Sequence, residues 1–272
     1  MMTARLEDLS VEDGPGSFAR FGVHSWPSLG VTACLCRFLV AQFDDQLFAF
    51  HGVQLDPSLS GAVRKRRAEF LAGRLCAAQA LRRCGAPEWV PIGADRSPVW
   101  PAGVIGSITH CDDTAMAVAL KKENVRGVGI DLERRAACHD AALNVRHFAT
   151  EAERGVLERA GIASEDHAVI AFSMKESFFK AAYPYVGRYF GFSAVSIVDA
   201  DRRHRSLSLV VAEDIGAELR PGLRVAGEYA HLGEAFVSTV VTIPARHASD
   251  RKLKSLEEKL NPVCMTGETN ES

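Results

Sequence analysis

Two short stretches of the 272-residue chain bring acids and lysines together at spacings that suit chemistry. In GIDLE, residues 129–133, Asp131 and Glu133 stand two apart. Alternate residues of a strand share a face, so both carboxylates can meet one ligand while Ile130 and Leu132 pack behind them. In FSMKESFFKA, residues 172–181, Glu176 precedes Lys180 by one helical turn and Phe178 and Phe179 can turn inward. Each stretch also has a plainer explanation. Alternating acid and apolar residues mark the wet face of any strand, Ser173 followed by Glu176 fits a capping box, and Glu176 with Lys180 fits an i,i+4 ion pair worth about 0.3 kcal/mol. If Glu176 joins Asp131 and Glu133, three carboxylates repel one another unless they are protonated or hold a cation. Hard oxygen donors favour Mg²⁺, or Mn²⁺, over zinc.

A basic run lies upstream. Arg64, Lys65, Arg66, Arg67, Arg74, Arg82 and Arg83 surround one acid, Glu69, in the stretch from about 60 to 84. Its apolar residues Val63, Leu71, Leu75, Ala78 and Leu81 recur at helical spacings, which predicts one helix over about residues 60–84. The charges are either its solvated face or an anion-binding face on which guanidinium groups from successive turns converge. A cation beside such a helix, with Lys175 or Lys180 near, suits a substrate carrying several phosphates. His110 in GSITHC is either a phosphate contact or a satisfied structural histidine, and Cys111 beside it does not make a thiol nucleophile. There is no GxxxxGK[ST] loop and no HRD or DFG pair, which argues against an ATPase or protein kinase.

The elements that must position these groups read as a mixed α/β chain. Strands are expected over 31–43, over AMAVALKK (114–122 region) after a THCDDT turn, over 124–133, and in YFGFSAVSIVDA, SLSLVVAEDI and AFVSTVVTI. A helix begins at Thr150, where Glu153 completes a capping box and Gly161 supplies a stop; a second covers SEDHAVIAFSMKESFFKAAY, interrupted or continued at Ser173. Residues 1 to about 30 show no clear periodicity. The chain divides into 1–125, with the arginine-rich helix, and 126–245, with the acidic centre. Residues 246–272 read as a flexible tail in which Leu253, Leu256 and Leu260 line at most a short helix.

Composition bounds the function. With 47% hydrophobic and 24% charged residues the chain can bury an ordinary core. A net charge of -2 removes any global argument for nucleic-acid or membrane binding. Seven cysteines without a CxxC pair argue against a disulfide framework and a thiolate zinc site. No uncharged apolar run approaches about 18 residues, and the acidic N-terminus does not resemble a signal peptide, so a cytoplasmic protein is expected.

Taken in order, RRAEFLAGRLCAAQAL (66–81), RSPVWPAGVIGSITH (96–110), VGIDLE (128–133) and FSMKESFFKAAYP (172–184) resemble the 4'-phosphopantetheinyl transferase superfamily, in its enterobactin synthetase component D-like branch. That resemblance implies a pseudo-dimer of two similar α+β halves within one chain, with coenzyme A in the cleft between them. It implies coenzyme A contacts from Arg66, Arg74, Arg96, Thr109, His110, Asp131, Lys175 and Lys180, with Arg96 the least secure in alignment. It implies Mg²⁺ on Asp131, Glu133 and Glu176, with Mn²⁺ the alternative, and catalytic roles for Glu176 and Lys180. The expected reaction moves 4'-phosphopantetheine from coenzyme A to a serine of an apo acyl, aryl or peptidyl carrier protein and releases adenosine 3',5'-bisphosphate. Such an enzyme serves siderophore or other secondary-metabolite synthesis, and a monomer is expected. Two other classes compete: a metal-dependent nucleotide-pyrophosphate hydrolase needing no protein acceptor, and a non-enzymatic module that binds anions or nucleic acid through the basic helix.

Overall fold

The computed structural model describes residues 18–87, 89–123, 125–135 and 148–245. Strands β1 (Ala19–Trp26), β2 (Val31–Phe38), β3 (Val104–Cys111) and β4 (Thr114–Lys121) form an antiparallel sheet in the order β1-β2-β4-β3. Strands β5 (Val125–Arg134), β6 (Val195–Asp201), β7 (Ser206–Val211), β8 (Arg224–Leu232) and β9 (Phe236–Pro244) form a second antiparallel sheet in the order β5-β9-β8-β7-β6. The helices among the described residues are α1 (Gln46–Phe50), α2 (Arg64–Arg83), α3 (Glu151–Arg159) and α4 (Ser164–Val186).

Three apolar clusters stack these elements in layers. Helix α2 buries Ala68, Leu71, Leu75 and Leu81 against one face of the first sheet, and α4 buries Ile170, Met174 and Phe178 against one face of the second. Between the sheets lies a third cluster, in which Trp26, Val31, Met116 and Val118 meet Val128, Ile130, Leu132 and Val240. The protein is therefore two similar α+β halves packed sheet to sheet, as a pseudo-dimer requires.

At the seam the edge strands β3 and β5 are neighbours, tied by the Ile130 amide donating to Ser107 Oγ at 3.1 Å. A second tie is made by Glu228 on β8, whose carboxylate accepts the Ser28 and Leu29 amides from the β1–β2 turn. Burial raises the Glu228 pKa, so those two amides offset a real desolvation cost.

Several expectations change. THCDDT is not a turn: Thr109, His110 and Cys111 complete β3, and only Asp112 and Asp113 turn, Asp112 at a φ of 51°. Ser173 caps nothing, because α4 runs unbroken through it and its hydroxyl bonds Thr239 Oγ1 at 2.8 Å. Glu176 is therefore a mid-helix residue. The strand expected over 31–43 stops at Phe38, β1 lies in the stretch without clear periodicity, and β8 adds a strand ahead of AFVSTVVTI. The Thr150–Glu153 capping box forms with both of its bonds. Leu253, Leu256 and Leu260, and the rest of 246–272, lie outside the described residues.

Candidate active site

The acidic centre is built by close approach. A Cβ on Gly129 would stand 1.9 Å from the Ser177 carbonyl oxygen, and one on Gly127 would stand 2.5 Å from that of Ala181. Only glycine lets β5 touch the backbone of α4 this closely, so the two glycines of GVGID bring Asp131 and Glu133 against the helix that carries Glu176 and Lys180. Even-numbered residues 128, 130 and 132 fill the layer between the sheets, which leaves Asp131 and Glu133 on the α4 side.

Lys180 Nζ donates to Asp131 Oδ1 at 2.7 Å, to the Ile130 carbonyl at 3.2 Å and to Thr109 Oγ1 at 3.3 Å. Thr109 in turn donates to Asp131 Oδ1 at 3.2 Å. Oδ1 is thus held from both halves of the molecule, while Asp131 Oδ2 is buried with no hydrogen-bond partner. Burial and then the Asp131 charge push Glu133 up to about 7, with Glu176 adding to the rise and Lys180 opposing it. Glu176 is raised as well, first by burial and then by Asp131, against the pull of Lys180. Three acids therefore share one electrostatic field. Among the described residues, no three His, Cys, Asp or Glu side chains stand close enough to form a ready-made metal cage.

Thr109 and its neighbour leave β3 on opposite faces. His110 turns toward α2, where Arg66 Nη1 lies 2.8 Å from His110 Nε2. Arg66 and His110 both adjoin Glu69, with Arg66 Nη1 at 3.6 Å and His110 Nδ1 at 3.9 Å from Glu69 Oε2. Two successive residues of one strand thus connect the basic helix of one half to the acidic centre of the other.

The remaining expected residues divide. Arg74 is buried, stacks over the Phe70 ring at 4.4 Å and keeps an unpartnered Nε; burial, then the Arg66 charge, lowers it to about 10. It lines a cavity of about 410 Å³ with His51, Val53, Gln79, Trp89 and Val90. Arg67, two turns before Arg74 on α2, is taken by Asp45 at 2.9 Å and the Ala62 carbonyl at 2.6 Å. Arg96 is exposed on a turn at a φ of 67°, where its backbone amide donates to the Gly93 carbonyl at 2.9 Å and its side chain makes no hydrogen bond or ion pair among the described residues. Lys175 stands apart from the cluster. It is buried in an ion pair with Glu153, 2.9 Å from Oε1, and that carboxylate also accepts the Thr150 and Ile197 amides. Glu69 and Ser107 carried no expected role; the only signal was that Glu69 is the single acid in the basic run.

Comparison with known proteins fits this geometry. Residues 55–120 match the model of the 4'-phosphopantetheinyl transferase N-terminal domain, and residues 127–230 match that of the 4'-phosphopantetheinyl transferase superfamily. The chain is 34% identical over 218 residues to enterobactin synthase component D of Salmonella typhi, covering 79% of this chain and 89% of that protein. It is 40% identical over 160 residues to enterobactin synthase component D of Escherichia coli, covering 58% and 74%. It is 35% identical over 142 residues to the 4'-phosphopantetheinyl transferase PptT of Mycobacterium tuberculosis, covering 52% and 62%. With a basic helix and an acidic centre joined across the seam of two similar halves, the chain belongs to the 4'-phosphopantetheinyl transferase superfamily.

Proposed function

We propose that the transfer of 4'-phosphopantetheine from coenzyme A to a carrier-protein serine, the reaction of this family, takes place at the seam between β3, β5 and α4. The observation that carries this reading is Asp131. Its Oδ1 is fixed by Lys180 and Thr109, while its buried Oδ2 has no partner. A buried carboxylate oxygen left bare is costly unless a ligand completes it.

The donors present fit Mg²⁺. The ion usually keeps several waters and takes one or two carboxylates plus substrate phosphates, so a three-acid protein cage is not required. Asp131 and Glu133 would hold it, with Glu176 as the third acid, and it would supply charge neutralisation at the coenzyme A pyrophosphate. Arg66 and His110 bind the phosphates from the α2 side, and Lys180 binds them from the α4 side. Arg74, whose guanidinium carries an unpartnered Nε and whose side chain lines the cavity, suits a further anionic group of coenzyme A.

Glu176 carries the proton. Its raised pKa suits a carboxylate that must accept a proton near neutrality from the attacking serine. The serine oxygen then bonds to the phosphorus bearing the pantetheine arm, the P–O bond to the other phosphate breaks, and adenosine 3',5'-bisphosphate leaves with its electron pair. A small helical acyl, aryl or peptidyl carrier is the acceptor. The curated relatives named for enterobactin synthase favour siderophore synthesis as the setting. The protein acts as a monomer, since both half-sites lie in one chain.

Glu176→Gln tests the assignment. The variant is expected to fold, since Gln suits a mid-helix position, and to lose roughly 10²-fold or more in single-turnover transfer. Metal affinity measured alongside separates the roles: a large fall makes Glu176 a ligand, and slow chemistry with near-normal metal and coenzyme A binding makes it the base. Near wild-type turnover would remove it from the mechanism.

A further inference from the structure

We infer that Glu69 is a positioning residue that holds Arg66 and His110 together as one preassembled phosphate clamp. The inference rests on the phosphate-binding reading of those two residues given above. Arginine only donates hydrogen bonds, so the 2.8 Å contact from Arg66 Nη1 requires His110 Nε2 to accept. The proton of the neutral imidazole therefore sits on Nδ1, the nitrogen that faces Glu69 Oε2 at 3.9 Å. The same oxygen attracts Arg66, and the other, Oε1, attracts Lys65 at 3.8 Å. One carboxylate thus gathers two cations that repel each other and a histidine that would be repelled by both as soon as it took up a proton.

The layering of the four groups decides the sign of the effect. Side-chain exposure is 12% for Glu69, 33% for His110 and 52% for Arg66. The acid lies beneath the pair, and an anion arriving from solvent meets guanidinium and imidazole first. Holding a half-exposed arginine costs rotamer entropy, and Glu69 sets that cost against the free protein rather than against binding. When phosphate arrives, Arg66 turns its donor from His110 to a phosphate oxygen, the freed His110 Nε2 takes up a proton and donates to the phosphate as well, and Glu69 remains beneath the imidazolium as its counter-charge. The groups whose charges act on His110 are Lys65, Arg66 and Glu69 from α2 and Lys180 from α4. Burial leads in lowering its pKa, Arg66, Lys180 and Lys65 add to that, and Glu69 alone opposes it.

The test uses the full chain and coenzyme A. Calorimetric titration of Glu69→Gln is expected to show about tenfold weaker binding at neutral pH, with KM raised far more than kcat is lowered. Nitrogen NMR of His110 should show the Nδ1–H tautomer in the free wild type and a titration moved to lower pH in Glu69→Gln. Glu69→Asp, which keeps the charge, should recover much of that shift, a response that a loss of fold would not give. Unchanged or tighter coenzyme A binding in Glu69→Gln, with Arg66→Ala weakened, overturns the positioning role and leaves the phosphate site standing. Unchanged binding in both Arg66→Ala and His110→Ala overturns the phosphate site and the positioning role together.

Discussion

Lys180 Nζ lies 2.7 Å from Asp131 Oδ1, and that contact joins the helix of the second half to the acidic strand at the point where Thr109 of the first half also bonds the same oxygen. The lysine does two things at once. It neutralises one lobe of a carboxylate that is 4% exposed, and it leaves the other oxygen buried without a hydrogen-bond partner. Lys180→Met keeps the length and removes the charge. The variant is expected to lose at least 10²-fold in transfer while Glu133 and Glu176 take up protons at higher pH, because the Lys180 charge opposes the rise of both. Carrier modification rates and the pH profile of kcat check both outcomes. A wild-type rate would reduce the pair to a structural tie.

Lys175 is expected to behave differently from its neighbour five residues on. Its partner Glu153 is nearly fully buried and already serves the α3 cap and the Ile197 amide. Removing the ammonium leaves that charge unpaired, which costs on the order of 3–5 kcal/mol. Lys175→Met should therefore lower the denaturant midpoint sharply, and whatever folded enzyme remains should bind coenzyme A with wild-type affinity. Lost affinity in a variant of normal stability would return Lys175 to the phosphate site.

The pH dependence of stability follows from two groups of opposite sign. Glu133, at about 7 when folded against 4.5 unfolded, keeps a proton that the unfolded chain has lost; its stabilising effect fades as pH rises through 7. His24, lowered by burial to about 4 from 6.5, works the other way, and its effect is lost as pH falls from 6.5 toward 4. The two slopes cancel over the window the shifts share, so metal-free protein should show a shallow stability maximum at about pH 5 to 6 and should melt at a lower temperature at pH 8. Added Mg²⁺ should raise the melting temperature more at pH 8 than at 6.5, because it competes with the Glu133 proton. A metal shift independent of pH would take Glu133 out of the metal's surroundings.

The chemistry-bearing strand and helix were legible because their signals are local. GIDLE alternates, FSMKESFFKA repeats at helical spacing, and the Thr150 capping box depends on residues three apart. The strands β1 and β8 were not legible, because each sheet is covered on both faces. Alternation disappears when one side meets a helix and the other meets a second sheet, and β8 is interrupted further by the buried Glu228. Thr109 and His110 were misread for a related reason: two aspartates after Cys111 carry the turn, but polar residues before them mimic its composition. The Ser173–Glu176 spacing imitates a cap because the partner of Ser173 is Thr239, 66 residues away, and no local pattern contains it. Lys175 and Lys180 look equivalent in the motif; only the fold shows that five residues of helix send one to Glu153 and the other to Asp131.

The most direct measurement is the mass of an apo carrier protein after incubation with this protein and coenzyme A, with Mg²⁺ present and with metal removed by EDTA. With the metal, the carrier is expected to gain one phosphopantetheine group and an equal amount of adenosine 3',5'-bisphosphate should appear. Without it, the carrier mass should stay unchanged, because three nearby carboxylates oppose an anionic substrate. Full modification in EDTA, with residual metal verified absent, would contradict the metal-assisted site, and coenzyme A breakdown with an unmodified carrier would replace the transferase with a pyrophosphate hydrolase.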